Sequence, residues 1–270
     1  QRLRHNKPAR IACLYYPTMM MPAHAARAGF DAIWLDTEHS TWERRELQRL
    51  IAQHHLANID CIVRTGSRNA TDLYHLLEDG ATGLMIPLVN SAEEAAALAR
   101  ATKFPPTGQR GLDGAGLDNN FYLDGTAGYA AAADAETFLI LQIETPEAVA
   151  AVDAIAAVPG VDGLFIGPGD LSLRLGCPMD WGNPKMVAAE DAVAAAADGV
   201  LRVVLEGQVV DAGNAEREGC CRQHSGRAQR ATRQFTGRAQ RRRQRNCSPH
   251  GDRDPRVEAD LQVSAQELEA

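Results

Sequence analysis

From Ala9 to about Asp198, short apolar runs alternate with longer Ala- and Leu-rich amphipathic segments, and this rhythm constrains the fold more than any other feature of the chain. Such alternation builds βα units around a parallel sheet. Strands are expected at Ile11–Leu14, Ala32–Asp36, Asp60–Arg64, Gly83–Pro87, Phe138–Gln142 and Gly163–Ile166. Helical periodicity fills the gaps at Thr41–Ala57, Ala70–Asp79, Ala92–Ala101, Pro146–Ala157 and Pro184–Ala197. Ser40, with Glu43 three residues on, reads as a capping box, and Pro146 and Pro184 suit the first turns of their helices. A chain of 270 residues is long enough for one (β/α)8 barrel, which typically needs about 250. The Gly-, Pro- and Asp-rich insert over 104–128 is expected to pack over one end of that barrel.

The rhythm stops near residue 200, which divides the chain into a barrel portion, 1–200, and an atypical Arg-rich tail, 201–270. Leu201–Leu205 offers a seventh strand, but no Leu, Ile, Val or Met lies between Val210 and Val257. Lysine ends at Lys185 while arginine accumulates, as in Arg241-Arg242-Arg243-Gln244-Arg245. Such a segment has no apolar surface to offset the entropy of ordering, so strands seven and eight are expected to be abnormal or missing. Two readings stay open for it: translation out of frame from about Gly199, giving an inactive product, or a disordered basic arm that binds nucleic acid.

The formal charge of −7 gives the whole chain no electrostatic reason to seek nucleic acid or an anionic membrane. No apolar run approaches the ~20 residues of a membrane span and no signal core opens the chain, so a cytoplasmic protein is expected. Six cysteines without a CxxC pair read as free thiols, with Cys13 and Cys61 buried in strands.

In a parallel barrel the C-terminal strand ends converge on one face, where active sites sit. Here those ends carry Asp36-Thr37-Glu38-His39, Arg64, Gln142-Ile143-Glu144 and Gly167-Pro168-Gly169-Asp170. Glu144 and Asp170 supply hard oxygen ligands that suit Mg2+ or Mn2+ while leaving positions for water and substrate. His39 has the side-chain chemistry of a general base, with Asp36, Glu38 and Glu78 as candidate partners. Arg64 either stabilises a developing oxyanion or forms a structural salt bridge to Asp36 or Glu38. No GxGxxG or GxxxxGK[ST] pattern supports a dinucleotide or P-loop site.

Several ordered motifs extend this reading: Gly29-Phe30-Asp31 through Asp36-Thr37-Glu38-His39-Ser40, Val63-Arg64, Leu77-Glu78-Asp79-Gly80-Ala81, Ile86-Pro87, Pro105-Pro106-Thr107-Gly108-Gln109-Arg110-Gly111, Gln142-Ile143-Glu144-Thr145, and Gly163 to Ser172. Over roughly residues 9–198 the chain resembles the HpcH/HpaI class II aldolases, which include 4-hydroxy-2-oxoheptanedioate aldolase, 2-dehydro-3-deoxyglucarate aldolase and macrophomate synthase. The resemblance implies a TIM barrel of the pyruvate-utilising type and a homo-oligomer, a hexamer in the family. It implies a divalent cation, Mg2+, Mn2+ or Co2+, ligated by Glu144 and Asp170. Gln142, Gly169 and Asp170 would bind the 2-oxo acid, His39 would accept a proton and Arg64 would stabilise the transition state. Glu78 stands where the family has an aspartate that raises the histidine's basicity, a role Asp36 could share. The implied reaction is reversible cleavage of a 4-hydroxy-2-oxo acid, through an enolate, to pyruvate and an aldehyde. An acyl-CoA lyase of the citrate lyase β or malyl-CoA type is the enzymatic alternative.

Overall fold

A computed structural model describes residues 9–123, 125 and 127–197, together with the backbone of 201–203. Seven parallel strands, β1 (Ile11–Leu14), β2 (Ala32–Asp36), β3 (Asp60–Arg64), β4 (Gly83–Ile86), β5 (Phe138–Ile143), β6 (Gly163–Ile166) and β7 (Leu201–Val203), lie in sequence order across one sheet. A barrel progresses in this way, whereas a doubly wound sheet reverses its strand order at a switch point. The expectations for an eighth strand and for the Arg-rich tail fall outside the described residues.

The connecting helices are α1 (Met21–Arg27), α2 (Arg44–Ala57), α3 (Ala70–Glu78), α4 (Ala92–Thr102), α5 (Tyr129–Glu136), α6 (Pro146–Ala150), α7 (Val152–Ala156), α8 (Pro168–Arg174) and α9 (Pro184–Ala196). None among the described residues is long and apolar enough to cross a membrane.

Period-two alternation assigns each strand residue to one of two cores. Ile33, Leu35, Val63, Leu84, Ile86, Leu141 and Leu164 face the helices and pack with Leu47, Leu50, Leu73 and Leu98. Ala32, Trp34, Ile62, Met85, Ile140 and Phe165 form a second cluster on the other face of the sheet. Trp34 and Phe165 meet edge to face, with ring centroids 5.5 Å apart. Continuing the same parity to the strand ends gives Asp36, Arg64 and Gln142, so this inner layer is the floor of whatever those polar side chains build.

Several sequence expectations need correction. The capping box before α2 is formed by Glu43 with Glu46, not by Ser40 with Glu43. Ser40 donates its hydroxyl instead to the carbonyl of Asp36, joined there by Trp42 Nε1 at 2.6 Å. The helix expected over 146–157 breaks at Ala151, which leaves helical backbone geometry. Cys61 is buried, but Cys13 is exposed: it lies on β1, which pairs on one side only among the described residues.

The 104–128 insert is held by a buried polar network rather than by strand pairing. Arg110 donates to Asp118 at 2.7 Å and stacks 4.6 Å from the centre of the Phe104 ring, and Tyr129 donates to the same Asp118 oxygen. Gly116 passes beneath the end of α3, where an added Cβ would come within 2.4 Å of the Glu78 carbonyl oxygen. The insert therefore packs on the end of α3 that feeds the start of β4.

Removing the inner floor should be costly. Phe165→Ala is expected to destabilise the protein by about 3–5 kcal/mol in chemical denaturation, because a fully buried aromatic is replaced by a cavity. A change below about 1 kcal/mol would contradict the packing role assigned to that ring.

Candidate active site

Asp36 and Arg64 are register partners at the last rung of the β2–β3 ladder, so both side chains project from the same face of the sheet. Arg64 donates to both Asp36 oxygens, at 2.9 Å from Nε and 2.6 Å from Nη2, and its Nη1 lies 3.2 Å from Glu38. Its guanidinium also rests 4.5 Å from the centre of the Trp34 ring. Both residues are buried. Burial alone would raise the Asp36 carboxyl, but the hydrogen bonds and charge of Arg64 outweigh it and hold the group below its usual range. Burial works against the Arg64 charge too, and Asp36 reverses that, so the guanidinium stays protonated.

Asp36 has a second task. The same carboxylate accepts the backbone N–H groups of Glu38 at 3.0 Å and His39 at 3.4 Å, which shapes the turn after β2. Asp36 thus orients the segment carrying His39 through its backbone. The imidazole itself is 62% exposed, with Nε2 3.7 Å from Glu38, too long for a hydrogen bond.

Glu144 follows β5 and is buried. It accepts from the backbone N–H of Leu88 at 2.7 Å and from Gln142 Nε2. Leu88 can aim its N–H this way because its backbone turns into the left-handed region, φ +53°, unusual for a residue with a Cβ. Burial raises the Glu144 pKa, the Leu88 bond opposes it, and the like charges of Glu38 and Asp170 raise it further. Gly167 packs directly against this carboxylate: a Cβ there would fall 2.2 Å from Oε2. Asp170 sits in the first turn of α8, where Ser172 donates to the Gly169 carbonyl at 2.8 Å.

No group of three or more His, Cys, Asp or Glu side chains among the described residues forms a closed metal cage. The donor set nevertheless suits a hard divalent ion with open positions. Glu144 is buried among like charges, and the buried Gln142 Oε1 lacks a hydrogen-bond partner among the described residues. Glu144 and Asp170 could hold such an ion.

The structure does not bring Glu78 to this group. It lies at the far end of α3, where burial raises its pKa and its charged neighbours are Arg110, His75, Asp118 and Asp113. Two contributors escaped the sequence reading. Arg68, on the loop before α3, donates through Nη2 to the carbonyls of Pro87 and Leu88, and Leu88 itself contributes only backbone. Neither carries a local sequence signal.

Fold and site together define an α/β protein of the barrel type with a cluster of carboxylates at the carboxyl ends of its strands. The chain belongs to the HpcH/HpaI aldolase/citrate lyase family, whose model matches residues 14–221. The match extends past residue 198, where the sequence motifs give out. A hydroxypyruvate/pyruvate aldolase from Pseudomonas aeruginosa is 39% identical over 170 residues, which is 63% of each chain. A 4-hydroxy-2-oxovalerate aldolase from Rhodococcus jostii is 38% identical over 172 residues, 62% of this chain and 63% of that enzyme. The chain thus aligns with less than two thirds of these relatives' length. The crystal structure of an HpcH/HpaI aldolase from Desulfitobacterium hafniense superposes with a TM-score of 0.74 at 27% identity, covering 93% of this chain and 98% of that one.

Two measurements check the geometry. Because the Asp36 pKa is lowered, its stabilising contribution is complete above the usual value of 3.8 and is lost as pH falls through the lowered one. Asp36→Asn should therefore cost on the order of 3 kcal/mol at neutral pH, with the gap narrowing as pH falls below 3.8. A gap that stays constant through the whole acid limb would exclude a charge-based role. Gly167→Ala should weaken Mn2+ binding at least about tenfold by calorimetry, because the new methyl displaces Glu144. Gly169→Ala, where a Cβ meets nothing within 4 Å, is the matched control.

Proposed function

We propose that this chain is a divalent-metal-dependent aldolase that reversibly cleaves 4-hydroxy-2-oxo acids to pyruvate and an aldehyde. The observation that carries the reading is the convergence of charge on Glu144, fixed by the Leu88 N–H and Gln142 while facing Glu38 and Asp170. The names of the aligned aldolases support the same chemistry, and favour it over the citrate lyase half of the family description.

Glu144 and Asp170 hold the cation, Mg2+, Mn2+ or Co2+, which when bound supplies Lewis-acid polarisation of the 2-oxo group. Gln142 and the backbone at Gly169 orient the 2-oxo acid beside it. His39, in reach of solvent, takes the proton of the 4-hydroxyl directly or through one water. As the C3–C4 bond breaks, the C4 fragment leaves as an aldehyde and the electron pair stays with the three-carbon fragment. That fragment takes a proton at C3 and departs as pyruvate. Arg64, kept charged and rigid by Asp36, stabilises the negative charge that develops during cleavage. Within one chain α3 carries Glu78 to the opposite end of the strands, so no step of this scheme is assigned to it.

Pyruvate release from a 4-hydroxy-2-oxo acid should fall at least about a hundredfold with EDTA and return on adding Mg2+, Mn2+ or Co2+. Glu144→Gln should be inactive across the same ions. Activity untouched by chelation would refute the proposal.

A further inference from the structure

Asn90 and Thr145 flank Glu144 and are left unused by the scheme above. Asn90 follows β4 by four residues, and Thr145 is the residue after Glu144. Asn90 Nδ2 donates to the Leu88 carbonyl at 3.3 Å, and Thr145 Oγ1 donates to Asn90 Oδ1 at 2.5 Å. A carbonyl only accepts, so the Leu88 contact fixes which end of the Asn90 amide points where. Glu144 accepts the Leu88 N–H at 2.7 Å, and the Glu144–Thr145 peptide then closes these bonds into a ring.

The ring has a physical task. Leu88 holds a left-handed backbone, φ +53°, which a residue with a Cβ keeps only where its surroundings over-determine it. Its N–H is engaged by Glu144, and its carbonyl receives both Asn90 and, at 3.1 Å, Arg68 Nη2. Thr145 is buried and caps α6 by accepting the Ala148 N–H at 2.9 Å, so the far end of the Asn90 amide is anchored on a helix. Glu144 faces the like charges of Glu38 and Asp170, which push it away from the position where all three would meet a cation. Only an amide serves at position 90, because a carboxylate could accept from Thr145 but could not donate to Leu88.

We infer that Asn90 and Thr145 are positioning residues: acting through Leu88, they hold Glu144 against that repulsion, so that the carboxylate is in place before a divalent cation arrives. The inference rests on the reading of Glu144 as a metal ligand and adds the residues that preorganise it. Neither residue is assigned a part in bond cleavage.

The test is Mn2+ binding to the full chain by calorimetry, beside a thermal melt of the metal-free protein. Asn90→Ala removes both bonds and should weaken Mn2+ binding at least about tenfold. Asn90→Asp keeps the shape and the acceptor for Thr145 but loses the donor to Leu88. Its added negative charge would by itself favour a cation, yet affinity should fall. Affinity within about twofold of wild type in Asn90→Ala, or tighter binding in Asn90→Asp, would overturn the inference. So would a lowered melting temperature with unchanged affinity, the mark of a merely structural role. A wild type that binds no Mn2+ would remove the metal reading and the inference with it, whereas wild type and variants that bind alike would remove the inference alone. Affinity lost in the variants of a protein that releases no pyruvate would uphold the ring and sink the aldolase reading.

Discussion

A buried aspartate and a buried arginine face each other at the last rung of the β2–β3 ladder, and the site is assembled outward from that pair. Neither charge is tolerable alone in that position: an unpaired buried ion costs several kcal/mol, about as much as the margin by which small domains are stable. The pairing also does more than neutralise. With Arg64 saturated, Asp36 still has capacity to accept two backbone N–H groups from the turn that follows, and its own carbonyl receives Ser40 and Trp42. The direction in which His39 leaves the sheet is thereby set by a residue whose side chain never touches the imidazole.

The strands were legible because their signal is strong: apolar runs of four to six residues, bounded by charged or turn-forming neighbours. Four of the six expected strands have the observed bounds, and the other two differ by one residue at their C-terminal ends. The unexpected helices, α1, α5 and α8, have seven, eight and seven residues, shorter than the window over which helical periodicity is readable. The capping box was misplaced because Ser40 and Glu43 both carry the signature, and the competition was decided by a tertiary acceptor, the Asp36 carbonyl. At the site, position at the C-terminal strand ends pointed to Asp36, Arg64, Gln142 and Glu144. Arg68 and Leu88 were invisible because they contribute through carbonyl positions and a backbone angle, which no residue type announces. Glu78 entered both as a carboxylate at the end of the helix after β3 and through family resemblance, and within one chain the direction of α3 takes it elsewhere.

Charge at the strand ends is arranged against stability. Glu144 is buried beside Glu38 and Asp170, and its raised pKa is the record of that repulsion. For a carboxylate with a raised folded-state pKa, stability falls as pH rises from the ordinary carboxylate range through the raised value, the opposite of Asp36. Two acids a few strands apart thus respond to pH in opposite senses, one serving the scaffold and the other the ligand. The Leu88 N–H is the compromise that keeps Glu144 in place at the expense of local strain.

Leu88 consequently looks, to an engineer seeking thermal stability, like an obvious target. A branched residue at φ +53° is strained, and glycine would relieve it. Yet the strain is what aims an amide at Glu144 and a carbonyl at Arg68, linking the ends of β3, β4 and β5 through one residue. Glycine would free that unit to sample other angles and would loosen both grips together. Screens that rank variants by melting temperature alone would favour the substitution that dissolves the connection, a concrete instance of stability and activity drawing on the same few atoms.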